Sequence, residues 1–179
     1  MSESPKKPFL TRGRIIRWVV YLVLLVIVMT QFQGFGCSRI GSDAARSMSP
    51  ILLQGKSYMV IEEPAEKLMR DAIVLWFTRD PEGKALPHYS RVQGIPGDQI
   101  KRIGETWAFE DAAQELHYLP RDLESTAIEA LKDQRIGDGK YYLLNHNRKV
   151  DLPDSRTLGL IERRWIRARI LPSVFGGER

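Results

Sequence analysis

Cysteine is almost absent from this sequence, since Cys37 is the only one among 179 residues. A single cysteine cannot form an intramolecular disulfide, and it gives no indication of the redox compartment. The sequence also lacks internal repeats, low-complexity runs, clustered metal ligands and a glycine-rich phosphate loop. Its length suffices for one domain of ordinary size plus an anchor. We therefore predict one folded domain, with no cofactor and no metal site.

A basic stripe is missing from most of the chain, although the formal net charge is +5. Residues 1–17 contain five Lys or Arg and one Glu, a local charge of +4, whereas the rest of the chain carries only +1. Nucleic-acid binding depends on concentrated positive charge that contacts phosphates. The charge distribution therefore predicts that nucleic acid is not a partner.

One long apolar segment follows the basic tail. Residues 18–29 read WVVYLVLLVIVM without a charge, and apolar neighbours extend them toward the roughly 20 residues that cross a bilayer. The following QFQGFG offers no small-x-small cleavage site, which favours a retained anchor over a cleaved signal peptide. Lys and Arg favour the cytoplasmic side. We therefore expect a cytoplasmic tail at 1–14, a single transmembrane anchor in the bacterial inner membrane at 15–33, and an extracytoplasmic (periplasmic) domain at 34–179.

The remainder of the sequence reads mainly as strands. KSYMVIEE and DAIVLWFTR are rich in Val, Ile and aromatic residues, and HYSRVQGI and QIKRIGETWAF flank the turn signal PGD. Further strands are expected at KYYLLNHN, TLGLIE and IRARILPS. One short helix is predicted within PRDLESTAIEALKDQRIGDG, where Leu123, Ile128 and Leu131 have near-helical spacing. The pattern predicts a mainly β domain, of the β-rich α+β kind.

Four sequence boxes occur in order across residues 45–160: SMSPILLQG, RDAIVLWF, SRVQGIPGDQI and DSRTLG. Together, behind an apolar segment, they resemble the boxes of type I signal peptidases, the membrane-anchored serine proteases of the S26 family. DSRTLGLIE also resembles the pilin-processing peptidases of conjugation systems, a subgroup of the same superfamily. The resemblance implies a signal-peptidase-like β domain with one N-terminal transmembrane helix. It also implies a signal peptide or pilin precursor as substrate, and a secretion or conjugation apparatus as a candidate partner.

The resemblance places the catalytic nucleophile at Ser47. Family members remove the serine proton with a lysine that an apolar pocket keeps neutral. By the same matching, Met48 would belong to an apolar surface facing the membrane or substrate, and Pro50 would shape the turn after the nucleophile. Asp154 and Arg156 match a structural ion pair that lies behind the catalytic residues in the family.

The residue at the position of the family's general base departs from the family pattern. Matching residues 91–98 to the family box without gaps puts Ser90 where the lysine is expected. A serine hydroxyl cannot act as a general base near neutral pH. In addition, the residue two before the nucleophile is Ala45, which lacks the hydroxyl that often contributes to the oxyanion hole. The site therefore needs a different base, or it is inactive.

Three residues are alternative bases. His88 lies two residues before Ser90, so on a strand the two side chains share a face about 7 Å apart. His146 could act with Asp154 as its orienting carboxylate, in a Ser-His-Asp arrangement. Lys56 follows the nucleophile box but is expected to start the next strand and point away. The sequence leaves these alternatives open.

Two functions consequently remain. The first is a membrane-anchored serine endopeptidase that removes signal peptides or processes a pilin-type precursor. The second is a catalytically degenerate relative that binds exported segments or assists assembly of a secretion or conjugation apparatus. The surviving aspartate and arginine of DSRTLG are compatible with either, because a scaffold role needs no activity.

Overall fold

The computed structural model describes residues 12–31, 35–62, 68–120 and 126–171. The chain divides into two units, Met1–Phe35 and Gly36–Arg179. Most of the predicted cytoplasmic tail, the end of the predicted anchor and the first part of the predicted helical segment lie outside the described residues.

The first unit contains helix α1, Arg12–Gln31. Apolar side chains between Ile15 and Val28 are exposed around the whole helix. Among the described residues, no helix has the length and apolar character of a membrane crossing. The predicted transmembrane helix at 15–33 is therefore not confirmed.

The second unit is built mainly from short strands. Its elements in chain order are β1 Phe35–Arg39, α2 Ser42–Met48, β2 Ser57–Ile61, β3 Ile73–Arg79, β4 Ala85–Gly94, β5 Gln99–Ile103, β6 Thr106–Glu110, β7 Leu116–Tyr118, α3 Thr126–Glu129, β8 Lys140–Leu144, α4 Ser155–Leu158, β9 Ile161–Glu162, a 3₁₀ turn at Arg163–Trp165 and β10 Ile166–Ile170. The predicted mainly β domain is confirmed.

Two sheets organise these strands. The larger has the order β1-β2-β10-β3-β4-β8-β9, and the smaller has the order β5-β6-β7. At the centre of the larger sheet, β3 and β4 pair antiparallel with Val74 opposite Ser90 and Trp76 opposite His88. Val74, Trp76 and Ser90 are almost fully buried. The register therefore places two of the predicted site residues beside the core of the main sheet.

Helix α2 was not among the predicted elements. Its residues Ala44 and Met48, four positions apart, point to one face and pack in a cluster with Tyr58 and Tyr89. Burying a Met or Leu side chain of this kind contributes about 1.5 to 3 kcal/mol to stability. Packing against strand β4 thus holds a helix that is too short to be stable by itself.

The strand predicted at TLGLIE is partly wrong, because Thr157 and Leu158 belong to helix α4. The carboxylate of Asp154 accepts a hydrogen bond from the backbone N–H of Arg156 and caps this helix. Only Ile161 and Glu162 of the predicted strand form β9. The helix cap formed by Asp154 therefore decides the conformation of Thr157 and Leu158, although the sequence pattern predicts a strand there.

Candidate active site

Ser47 lies at the end of helix α2 and is 2% exposed. Its Oγ donates to Ala44 O at 3.0 Å and to Tyr89 O at 3.4 Å. The backbone N–H of Asn147 donates to Ser47 O at 2.8 Å. Ser47 is thus held between its own helix, strand β4 and the loop after β8.

Ser90 is buried and has two side-chain partners. Its Oγ accepts a hydrogen bond from Trp76 Nε1 at 3.0 Å and donates one to Asn145 Oδ1 at 2.8 Å. Asn145 Nδ2 in turn donates to Leu152 O at 3.0 Å. The position matched to the family lysine therefore holds a hydroxyl engaged in structural hydrogen bonds, and this hydroxyl is not a base.

Asp154 and Arg156 form an ion pair behind this group. Arg156 Nε lies 3.0 and 2.9 Å from the two carboxylate oxygens of Asp154, which is fully buried. The same carboxylate accepts the backbone N–H of Asn145 at 3.0 Å. A chain of contacts thus runs from the ion pair through Asn145 to Ser90. That this chain supports a catalytic site remains a prediction.

His88 is half-buried on strand β4, on the same face as Ser90. Its Nε2 lies 2.7 Å from Thr78 Oγ1, and its ring centroid lies 4.8 Å from that of Trp76 with 37° between the planes. Burial lowers the pKa of His88 below 6.5, and the negative charge of Asp43 partly opposes this. The imidazole is therefore neutral at pH 7, as a general base must be.

Ser47 and His88 line the same narrow recess, together with Asp43, Ala44, Pro87, Tyr89, Asn145, Leu152 and Pro153. Seven of these nine residues also line a neighbouring cavity of about 510 Å³, which adds Arg39, Gly41, Ser42, Thr78 and Leu86. The recess is thus continuous with a cavity large enough for several side chains of a peptide. Within the described part of the chain, no hydrogen bond joins Ser47 Oγ to a lysine or histidine nitrogen.

Other predicted site residues lie elsewhere. His146 and Lys56 are exposed and line neither the recess nor the larger cavity. Met48 is fully buried in the cluster under α2, so its predicted place on a surface facing substrate or membrane is wrong. Its side chain covers the sheet because it follows Ala44 by one helical turn. Pro50 is exposed in the turn after the helix, as a turn residue should be.

Three residues of the site were not predicted from sequence. Thr78 and Trp76 contact His88 from strand β3, and Asp43 shares its recess from helix α2. The alternation of β3 indicates that Trp76 and Thr78 share a face. It does not indicate that this face meets His88, because that depends on the register between β3 and β4.

A possible metal-ligand group, which the sequence did not predict, lies at the turn between β6 and β7. One ligand atom from each of Asp111, Glu115 and His117 lies within 4.8 Å of the others. Asp111 Oδ1 accepts backbone N–H groups of Ala113 and Glu115, and Asp111 Oδ2 lies 3.1 Å from His117 Nε2. These hydrogen bonds lower the pKa of Asp111, with the His117 contact as the largest cause. These hydrogen bonds close the turn and so explain why the three side chains lie close together.

Comparison with known proteins identifies relatives across most of the chain. The family model described as signal peptidase, peptidase S26, matches residues 14–174. A signal peptidase I from Bacillus licheniformis is 20% identical over 164 residues, which cover 87% of this chain and 86% of the relative. A crystal structure of a signal peptidase I from Enterococcus faecalis V583 has 19% identity and a TM-score of 0.40, covering 59% of this chain and 97% of that one.

Proposed function

Because the chain belongs to the S26 signal peptidase family, we propose that it is a serine endopeptidase that cleaves signal peptides from exported precursors. Ser47 is the nucleophile and His88 is the general base. The observation that carries this proposal is the recess that both side chains line, beside a cavity of about 510 Å³. The same site would serve a pilin-type precursor, whose cleavage is the same reaction.

The reaction is acyl transfer through the Ser47 hydroxyl. In the free chain this hydroxyl donates to the carbonyls of Ala44 and Tyr89. For catalysis it rotates toward His88, gives up its proton as Oγ attacks the scissile carbonyl, and forms an acyl-enzyme. The imidazolium then protonates the leaving amine, and a water molecule activated by the imidazole releases the acyl group.

Helix α1 is the proposed site of membrane association. Its exposed apolar surface from Ile15 to Val28 is unfavourable in water and favourable in lipid. The basic residues before it would favour the cytoplasmic side. In fractionated cells we expect the full chain to sediment with membranes after alkaline carbonate extraction. A Leu22→Glu/Leu25→Glu variant should be released. Equal release of both proteins would contradict membrane association through α1.

A second candidate function is a binding or assembly factor without catalysis. The observation that favours it is the buried hydroxyl of Ser90, which replaces the expected lysine and is engaged by Trp76 and Asn145. In this case the cavity binds exported segments and Ser47 is dispensable. The two functions therefore differ in whether the Ser47 hydroxyl is required.

The decisive experiment uses the full chain in detergent or membrane vesicles with a precursor that carries a signal peptide. Ser47→Ala should abolish cleavage, whereas Ser49→Ala, which removes an exposed hydroxyl two residues away, should not. Both variants should bind the precursor equally. Cleavage by Ser47→Ala at the normal rate would exclude the peptidase. In cells that express Ser47→Ala in place of the wild type, loss of export function at normal protein abundance would exclude the non-catalytic function.

A second experiment identifies the base. His88→Gln should lower kcat by about 100-fold to 10,000-fold, the usual contribution of general acid–base catalysis. His146→Gln is the matched control, since His146 is exposed and lines neither the recess nor the cavity. Similar kcat values for His88→Gln and the wild type would exclude His88 as the base.

A further inference from the structure

Thr78 makes the shortest polar contact of the proposed base. Thr78 Oγ1 lies 2.7 Å from His88 Nε2, and both residues line the larger cavity. Trp76, two residues earlier on the same face of β3, lies with its ring centroid 4.8 Å from that of the imidazole and tilted by 37°. Strand β3 therefore restrains His88 both through its ring plane and through one of its two ring nitrogens.

A neutral histidine carries one N–H and one free lone pair, and the partner of one nitrogen decides which tautomer forms. Because Nε2 is engaged by Thr78, only Nδ1 remains to receive the proton of Ser47. We propose that Thr78 is a positioning residue that accepts a hydrogen bond from His88 Nε2–H and so keeps the lone pair on Nδ1. This inference rests on the proposed function of His88 as the base.

The residue that contacts a ring nitrogen of His88, Thr78, is uncharged, and charged residues lie nearby in the cavity lining. Asp43 of α2 and Arg39 of β1 line the same cavity, and Trp76 and Thr78 of β3 carry no charge. A threonine hydroxyl can accept the ring N–H as the aspartate of a Ser-His-Asp triad does, although a hydroxyl can also donate, and the tautomer measurement below distinguishes the two directions. Unlike the aspartate, it adds no negative charge beside the imidazolium. In this arrangement Thr78 orients the imidazole ring of His88, whereas the exposed carboxylate of Asp43 stabilises the imidazolium.

The first test reads the tautomer directly by ¹⁵N NMR of the histidine-labelled full chain in detergent micelles. The sequence has three histidines, and the His88 signals are assigned by their loss in His88→Gln. We expect the wild type to show a protonated Nε2 and an unprotonated Nδ1 at His88. Detection of the Nδ1–H tautomer as the major form would overturn the inference, and this measurement requires no variant at Thr78.

The second test combines NMR and kinetics for variants of Thr78. Thr78→Val keeps the shape of the side chain but removes the hydroxyl. The population of the Nε2–H tautomer should therefore fall about tenfold relative to the Nδ1–H tautomer. We expect a similar fall in kcat and little change in KM. Thr78→Ser should restore both. Thr106→Val, on a different sheet, is the control for loss of a threonine hydroxyl.

The outcomes separate this inference from the function on which it rests. If Ser47→Ala still cleaves, the proposed function fails, while the tautomer in the wild type still tests the role of Thr78. If cleavage requires Ser47 and His88 but Thr78→Val keeps the wild-type tautomer and kcat, only the inference about Thr78 fails. A lower kcat in Thr78→Val that Thr78→Ser does not rescue also overturns it.

Discussion

The Ser90 hydroxyl donates a 2.8 Å hydrogen bond to Asn145 Oδ1, and this contact joins strand β4 to the loop that follows β8. Trp76 Nε1 donates to the same hydroxyl from β3. Asn145 is bound in turn to Leu152 and to Asp154. The residue at the family's lysine position therefore connects strands β3 and β4 with the loop after β8, and we predict that its function here is structural.

Ser90→Ala tests this structural function. The substitution leaves Asn145 Oδ1 and Trp76 Nε1 without their partner in a buried position, so the free energy of unfolding should fall by about 1 to 3 kcal/mol. The rate of precursor cleavage per folded molecule should stay the same, because Ser90 is not the base. Urea unfolding and cleavage assays measure the two effects. Ser57→Ala, at an exposed serine, should change stability by no more than about 0.5 kcal/mol.

A large loss of activity in fully folded Ser90→Ala would contradict this assignment. It would indicate that the hydroxyl takes part in proton transfer or in substrate binding.

The buried ion pair supports a second prediction. Arg156→Ala removes the partner of Asp154, whose side chain is fully buried while that of Arg156 is 20% exposed. The buried carboxylate would keep its backbone N–H donors but lose its countercharge, so the free energy of unfolding should fall by about 3 kcal/mol. Arg167→Ala is the control, because its contact with Glu62 is 3.5 Å long and both side chains are more than 60% exposed. Its effect should stay below about 1 kcal/mol, and equal effects in both variants would show that Asp154 is not buried as described.

The pH dependence of cleavage provides a third prediction. Burial lowers the pKa of His88 below 6.5, so the neutral base is present at pH 7 and is lost as the pH falls through this lowered value. The midpoint of the acid-side decrease in activity should therefore lie below pH 6.5. The pH profile of kcat/KM for the free enzyme measures this. A midpoint above pH 6.5 would contradict His88 as the base.

Asp43 should affect the pH at which kcat/KM falls on the acid side of the profile, called here the acid limb. Its charge raises the pKa of His88 against the larger effect of burial. Asp43→Asn should therefore move the limb to lower pH, and the difference from the wild type should shrink at high salt because Asp43 is exposed. Glu82→Gln, an exposed acidic residue that lines neither the recess nor the cavity, should leave the limb unchanged.

Gly94 at the end of β4 supports a prediction about packing. A Cβ at this position would lie 2.6 Å from Ile136 Cδ1 and 2.9 Å from two ring atoms of Phe109. Gly94→Ala should lower the free energy of unfolding by about 1 to 3 kcal/mol, the usual cost of overpacking. Gly137→Ala has open space around its Cβ and should be close to neutral or stabilising. Similar unfolding curves for both variants would show that the core relaxes around Gly94.

Much of the fold could be predicted because its strongest signals are local. The apolar run of β3 and the turn at PGD are local signals, and strands β3, β4 and β5 lie where these signals predict them. The stretch QIKRIGETWAF, predicted as one strand, forms the two strands β5 and β6, which pair antiparallel. Helix α2 was missed because it is stabilised by contacts of Met48 with residues of β2 and β4 rather than by its own sequence. The helical Thr157 and Leu158 were missed because a cap from Asp154 decides their conformation.

The sequence by itself determined the order of the family boxes, and with it the candidate nucleophile Ser47 and the absence of a lysine at Ser90. Only the tertiary structure decided that Ser90 bonds to Trp76 and Asn145, which lie 14 and 55 residues away. It also decided that His88, rather than His146, shares a recess with Ser47. The physical reason is that a sequence box can be recognised from neighbouring residues alone. Strand register and loop packing, in contrast, depend on burying apolar surface between segments that are distant in the sequence. A one-residue slip of β3 against β4 would have placed His88 and Trp76 on opposite faces of the sheet.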